Sequence, residues 1–165
     1  MTGTHDYLPV MADCERALGR PHNAVKLARE ADRLQLDPAL RIEMIIVEAG
    51  ARHDLGQVPE SRRILERAVH QVGTSDPRLR LPMARLRYAL ADILLGAGED
   101  AAARAMFAAA AKLDADGETD AQQRVDELDG MRIDYDEDDA DEASDLGDTD
   151  DVDDAPRGED ERRRR

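Results

Sequence analysis

The side chains that could perform chemistry in this chain are few and scattered. Its four histidines stand far apart in the 165 residues, without the spacing that would let two of them bind one metal ion: His5, His22, His53 and His70. His53 directly precedes Asp54. Neighbours on a helix diverge by about 100°, however, so adjacency alone does not make an acid–base pair. We expect all four histidines to be surface residues.

The single cysteine, Cys14, excludes an internal disulfide and a cysteine-based zinc site. It has Glu15 beside it and lies on an apolar stripe, so we expect a small buried residue rather than an activated thiolate. No phosphate-binding glycine loop or nucleophile elbow is present in the sequence. The sequence therefore predicts a protein that is not an enzyme and binds no cofactor.

One segment partly matches a calcium-binding loop. Asp148, Asp150 and Glu159 occupy its positions 1, 3 and 12. Val152 and Asp153 stand where an oxygen ligand and the turn glycine are required, so the motif fails. We expect no specific metal site.

The charge of the chain is concentrated at its C-terminal end. Residues 134–165 contain sixteen acidic and five basic side chains, a net charge of −11, whereas residues 1–133 carry only −4. A segment so rich in like charge and so poor in apolar residues is typical of disorder. We therefore predict a folded domain over residues 1–131 and an acidic disordered tail over residues 132–165.

The folded part is expected to be all-α, because alanine is abundant and no segment alternates like a strand. Asp6, Asp37 and Asp100 are candidate helix caps, and Thr119 with Gln122 has the spacing of a capping box. Glycine and proline divide the chain into seven predicted helices, over residues 7–18, 21–34, 38–55, 59–72, 82–97, 101–113 and 119–129.

A short pattern occurs three times. A turn glycine is followed 5, 9 and 12 residues later by small or apolar residues: Gly19 by Ala24, Ala28 and Ala31; Gly56 by Ser61, Leu65 and Ala68; Gly98 by Ala103, Phe107 and Ala110. These positions share one face of a helix, and small side chains let neighbouring helices approach closely. The pattern predicts an α-solenoid of stacked hairpins, which indicates a binding scaffold.

The pattern resembles the tetratricopeptide repeat, a 34-residue helix–turn–helix unit. The third unit matches best, with Leu90-Ala91, Gly98, Ala103, Phe107 and Ala110 at the right separations, while Glu48 departs from the pattern in the second. The resemblance covers roughly residues 5–130. It implies a right-handed α-solenoid of three degenerate hairpins, at residues 5–37, 42–73 and 82–115, with a capping helix at 119–129.

Residues 4–15 and 84–89 look like stretches of actinobacterial tetratricopeptide-repeat proteins of unassigned function. In such relatives further helices precede this region. The first helix is consistent with further helices before it, because its apolar band is wider than packing against a single helix requires. We expect Leu8, Met11 and Leu18 to pack on the second helix. A second stripe would face an uncovered edge: Tyr7, Val10, Cys14 and Ala17. We therefore expect that a partner or a second copy covers that edge, or that the chain is truncated.

The resemblance also implies which side chains face the concave, ligand-binding surface. In this sequence they are Asp13, Arg16, Glu43, Ile46, His53, Asp54, Arg85, Tyr88 and Asp92. Their mixed charges suit a peptide or protein segment, and the alternative is that they are solvated helix faces. Family members that grip a chaperone's C-terminal carboxylate use lysine and asparagine clamp residues. Pro9 and Asp13 at the corresponding positions disfavour that ligand.

The sequence thus predicts a cytoplasmic, bacterial protein-binding scaffold, with no signal peptide or apolar run long enough to span a membrane. Nucleic acid is not expected as a ligand, because the chain is strongly acidic. The alternative function is regulatory: the acidic tail mimics nucleic acid or shields a basic surface of a partner. The tail could also compete with an acidic ligand for an arginine-rich surface around Arg62, Arg63 and Arg67.

Overall fold

The protein is helical throughout the part of the chain that its computed structural model describes, residues 6–73 and 76–130, which contains no strand. Seven α-helices follow one another there: α1 (Leu8–Ala17), α2 (Pro21–Ala31), α3 (Pro38–Asp54), α4 (Val58–Gln71), α5 (Arg80–Gly96), α6 (Asp100–Ala111) and α7 (Ala121–Leu128). All of them lie in one compact unit. The all-α prediction is confirmed. The predicted disorder of residues 132–165 concerns a segment outside the described residues.

Proline and an acidic cap set the early helix starts. Helices α1 to α4 each carry a proline within their first two positions, where its missing N–H costs no helical hydrogen bond. At α3 the Asp37 carboxylate accepts a hydrogen bond from the Ala39 backbone N–H at 2.9 Å. The predicted cap at Asp37 is therefore confirmed.

The other three predicted caps are wrong. Tyr7, not Asp6, stands at the N-cap of α1, with no side-chain cap. Asp100 is the first residue of α6 rather than its cap, and there its charge still complements the positive end of the helix dipole. The Thr119 hydroxyl donates to the Asp114 carboxylate instead of capping α7. The proposed capping box is lost because that hydroxyl is already engaged.

Several helix bounds differ from the prediction by up to three residues, and those of α2 and α5 have a clear cause. Helix α2 ends three residues early, because the Leu34 N–H bonds to the Ala31 carbonyl at 2.9 Å and tightens the last turn. Helix α5 begins before Pro82, because a 3-10 turn over Pro77–Leu79 leads directly into it. The Asp76 carboxylate starts that turn by accepting the Arg78 N–H at 3.0 Å.

The helices pack in consecutive pairs, α1 with α2, α3 with α4, and α5 with α6. Each pair also contacts the next, because α3 touches both helices of the first pair and α5 touches both helices of the second. Helices α1, α3 and α5 therefore contact one another in series, while α7 packs on α6. Gly98, with φ of 77°, closes the turn between α5 and α6 in a left-handed conformation that favours glycine.

Small residues occupy the buried centre of every pair. In each, two small side chains twelve positions apart are at most 1 % exposed: Ala12 and Ala24, Ala49 and Ser61, Ala91 and Ala103. The Ser61 hydroxyl donates to the Ala49 carbonyl oxygen at 2.8 Å, which places α4 directly against the backbone of α3. Around these positions the core is aliphatic apart from Phe107, which is fully buried.

The orientation of α1 differs from the prediction. Pro9 and Ala12 form its buried side, whereas Met11 and Leu18, which were expected to pack on α2, are 51 % and 64 % exposed. Cys14 is exposed as well, so its predicted burial is wrong. The reason is geometric, because Met11 is displaced by about 100° around the helix from the small Ala12 that sits at the close contact.

The buried position of Ser61 makes a stability prediction. Replacing Ser61 with Leu inserts a large side chain where α4 meets the α3 backbone, and we expect it to lower the free energy of unfolding by roughly 1–3 kcal/mol or more. Ser61→Ala keeps the small volume and loses one hydrogen bond, which costs about 1 kcal/mol. Urea unfolding followed by circular dichroism measures both.

The control for this pair is Arg67→Leu, which introduces the same leucine side chain at an exposed position of the same helix. It should change the stability by no more than about 0.5 kcal/mol. Equal losses for Ser61→Leu and Ser61→Ala would contradict the close helix contact.

Candidate binding groove

A cavity of about 500 Å³ lies along the face formed by α1, α3 and α5. Eight of the nine side chains predicted to face a ligand line it: Arg16, Glu43, Ile46, His53, Asp54, Arg85, Tyr88 and Asp92. The ninth, Asp13, bonds to one of the eight but does not line the cavity. The structure therefore brings together the residues that the resemblance selected, and we name this cavity the concave groove.

The α1 end of the concave groove is organised around Arg16. Its guanidinium donates to the Asp13 carboxylate and to the Asp54 carboxylate, each at 2.8 Å. The second of these bonds joins α1 to the end of α3. His53 lies beside this cluster and is exposed.

Gly50 explains how Arg16 reaches across α3. A Cβ atom at this position would lie 3.2 Å from a guanidinium nitrogen of Arg16 and 3.3 Å from its central carbon. Those separations are tighter than ordinary van der Waals contact. The missing side chain therefore leaves the space in which the guanidinium lies flat over the helix.

The middle of the concave groove joins α3 to α5. An Arg85 guanidinium nitrogen donates to a Glu43 carboxylate oxygen at 3.1 Å. Ile46, which is half-buried, packs against the core below and contributes apolar surface to the floor. The groove thus has an apolar floor between charged pairs.

Near Tyr88 of α5, the concave groove lies over a stack of aromatic and cationic side chains. The Tyr88 ring meets the Phe107 ring edge-on, with centroids 5.0 Å apart and planes at 75°. The Arg124 guanidinium of α7 lies 5.3 Å from the Phe107 ring centroid. Burial and the nearby Asp120 carboxylate raise the pKa of Tyr88, so its hydroxyl keeps its proton. Helix α7 therefore contacts the Phe107 ring on which Tyr88 packs.

Asp92 is the least fully paired carboxylate of the concave groove. Its nearest cation is Arg124 at 3.5 Å, and that same guanidinium is 3.6 Å from Glu127. Burial raises the pKa of Asp92, and the Arg124 charge offsets only part of this effect. A further cation close to Asp92 would therefore stabilise its charged form.

Several lining residues were not predicted from the sequence: Ala49, Gly50, Ser61, Leu65, Ala89, Ile93 and Thr119. Two of them, Ala89 and Ile93, follow from the helical period. Ala89 lies four residues after Arg85, and Ile93 lies four residues after Ala89, so all three share one face of α5. Thr119 carries no such signal. It comes from the connection between α6 and α7, and a single side chain fixes its position.

That side chain is Asp114. It accepts hydrogen bonds from the Glu118 N–H at 2.9 Å and from the Thr119 N–H and hydroxyl at 2.6 Å each. Burial alone would raise the pKa of Asp114, but the hydrogen bonds from Thr119 and Glu118 outweigh burial and lower it. The ionised carboxylate therefore holds this connection at the rim of the groove.

We expect Asp114→Asn to lower the free energy of unfolding at pH 7 by roughly 1–2 kcal/mol, because an amide cannot accept all three bonds. A lowered pKa means that the carboxylate stabilises the fold fully above its ordinary value of 3.8 and loses this effect as the pH falls through the folded value. The difference between the two proteins should therefore shrink below about pH 4.

Urea unfolding between pH 7 and pH 3 measures this difference. Asp116→Asn is the control, since Asp116 is exposed in the same connection and should show little effect. A loss of stability that does not vary with pH would contradict the role given to the ionised Asp114.

The remaining reactive residues are dispersed. His22, His53 and His70 are exposed on α2, α3 and α4 respectively, and His5 lies outside the described residues. Within those residues no group of three or more His, Cys, Asp or Glu side chains is arranged to hold a metal ion. The failed calcium motif and the acidic tail, with the tail's regulatory alternatives, also concern residues outside this part of the chain.

The predicted arginine-rich surface on α4 is partly neutralised. Arg62 pairs with Glu66 at 2.7 Å and with Glu99, and Arg63 pairs with Glu60. Two of the three arginines are thus committed to carboxylates of the helical unit itself, which leaves less free positive charge there than the sequence implies.

Over residues 6–73 and 76–130, no helix combines the length and the apolar character needed to cross a lipid bilayer. Comparisons with protein-family models, with curated proteins and with solved structures found no match to this chain. The tetratricopeptide resemblance therefore rests on the residue pattern described above.

Proposed function

We propose that the protein is a non-enzymatic, tetratricopeptide-like scaffold that binds a segment of another protein in the concave groove. The observation that carries the proposal is that one cavity of about 500 Å³ is lined by eight of the side chains that the resemblance assigns to the ligand-binding surface. They come from three helices whose residues are up to 76 positions apart in the sequence, from Arg16 to Asp92.

The order of helix contacts supports the stacking of three hairpins in the proposed α-solenoid. Its right-handed twist is what the resemblance implies. Helices α3 and α5 each touch both helices of the preceding pair, which is the contact pattern that repeated stacking produces. In a solenoid the series α1, α3 and α5 forms one continuous surface. Extended concave surfaces of this kind serve to bind proteins and peptides.

The carboxylates and arginines of the concave groove support binding rather than catalysis. Arg16 and Arg85 are each hydrogen-bonded to a carboxylate of the groove, and Asp92 is next to Arg124. Such pairs fix the positions of the side chains and leave hydrogen-bonding capacity at the rim for a ligand. Bacterial and cytoplasmic origin remain part of this proposal.

The chemistry of the groove favours a segment that carries an aliphatic residue next to a lysine or arginine. Ile46 and Ile93 offer apolar surface between the charged pairs. Asp92 shares the Arg124 guanidinium with Glu127, so it is the groove carboxylate whose charge a further cation would stabilise most. A cationic side chain there would also lie near the Tyr88 ring, whose face attracts positive charge.

Selection from phage-displayed random dodecapeptides on the full chain tests this function. We expect enriched peptides to combine a basic residue with an aliphatic neighbour and to bind in a fluorescence anisotropy assay. Asp92→Asn, which keeps the size of the side chain and removes its charge, should weaken binding by about tenfold, as the loss of one partner of a charged contact does. Ile46→Asp should weaken it at least as much.

Glu66→Gln on α4 is the matched control, because Glu66 is also a carboxylate paired with an arginine but does not line the groove. It should leave the affinity within about twofold, as expected for a residue outside the contact surface. Absence of enrichment, or selected peptides that bind the Asp92→Asn and Ile46→Asp variants as tightly as the parent, would contradict the proposal.

A further inference from the structure

Large exposed apolar side chains are concentrated at one edge of the helical unit. Among the described residues, five such side chains are exposed, and four of them are on α1 or at its ends: Tyr7 at 64 %, Val10 at 61 %, Met11 at 51 % and Leu18 at 64 %. The fifth, Val58, is 37 % exposed and stands at the start of α4. An apolar patch concentrated in this way is typical of an interaction site.

This edge lacks the cover that the equivalent helices have. Helix α3 packs on α1 and α2, and α5 packs on α3 and α4, whereas α1 contacts only α2 and α3 within the described part of the chain. Between α1 and α2 a second cavity of about 500 Å³ is open. Its floor includes Val10, Met11, Cys14 and Leu27, and its rim carries Glu15, Asn23, Lys26 and Glu30. A helix is the kind of element that fills such a space in this fold.

The charges on the rim are self-complementary. Lys26 and Glu30 are exposed, lie one turn apart on α2, and form no ion pair with the residues that the structure describes. If two copies met with their α2 helices antiparallel, the Lys26 of each copy would stand opposite the Glu30 of the other. A two-fold axis produces that reciprocal arrangement automatically, because the same patch is used on both chains.

Among the described residues, helix α7 at the other end of the helical unit offers no large exposed apolar side chain for a head-to-tail contact. On α7 the exposed residues are polar, with Gln123 bonded to Glu127 at 3.0 Å and Gln122 bonded to Asp126 at 2.9 Å. The apolar α1–α2 edge of one copy is therefore matched by the same edge of a second copy and not by α7. We infer that the α1–α2 edge binds the α1–α2 edge of a second copy of this chain, related by a two-fold axis.

Analytical ultracentrifugation of the full chain over about 5–500 μM tests the dimer. A salt concentration of about 0.3 M screens the repulsion between two chains that each carry a charge of −15. We expect the mass to rise with concentration from 18.3 kDa toward twice that value. Val10→Glu should hold the protein at the monomer mass with an unchanged circular dichroism spectrum. Val58→Glu, at the exposed apolar position outside the edge, should leave dimerisation unchanged.

A charge exchange tests the two-fold geometry separately. Lys26→Glu should weaken the dimer by about tenfold, because it places like charges opposite each other, and the double variant Lys26→Glu with Glu30→Lys should restore it. A monomer at every concentration would overturn the proposal. A dimer that tolerates Val10→Glu, or a double variant that is not restored, would overturn it as well.

Discussion

The close approach of the paired helices is the constraint on which the rest of the structure depends. Two small, fully buried side chains lie at the centre of each pair, and at Ser61 the contact reaches the backbone of the neighbouring helix. A larger side chain there would separate the pair. The pairs could then no longer stack so that α1, α3 and α5 touch in series. The concave groove exists because three helices twenty or more residues apart in sequence are held side by side by these contacts.

The concave groove and helix α7 are linked by direct side-chain contacts. Arg124 of α7 lies over Phe107, and Phe107 supports Tyr88 from below. The same arginine approaches Asp92. Helix α7 thus does more than close the end of the helical unit, because it shapes both the aromatic floor and the charge at one end of the groove. The alanine-rich core leaves Phe107 as the one large aromatic ring able to transmit that support among the described helices.

The features that could be predicted from the sequence were those that depend on the spacing of residues close together in the chain. The glycines, prolines and small residues repeat at helical intervals, so they predicted seven helices. The groove positions came from the family resemblance that this pattern carries. Contacts between distant residues carried no such signal. Thr119 reaches the rim only because Asp114 binds it, and the exposure of Met11 depends on which side of α1 meets the next helices. Side-chain pairing across helices is chosen by the packed structure, not by the residues' own neighbours in sequence.

The most direct test of the central claim is a nuclear magnetic resonance titration of the isotopically labelled full chain with a peptide enriched by selection. Binding in the concave groove should shift the backbone amide signals of Ile46, Tyr88 and Asp92 together, with a common dissociation constant. Signals from the exposed side of α4 and α6 should remain in place. Shifts confined to α4 and α6, with the groove signals unchanged, would contradict the account of this surface as the binding site.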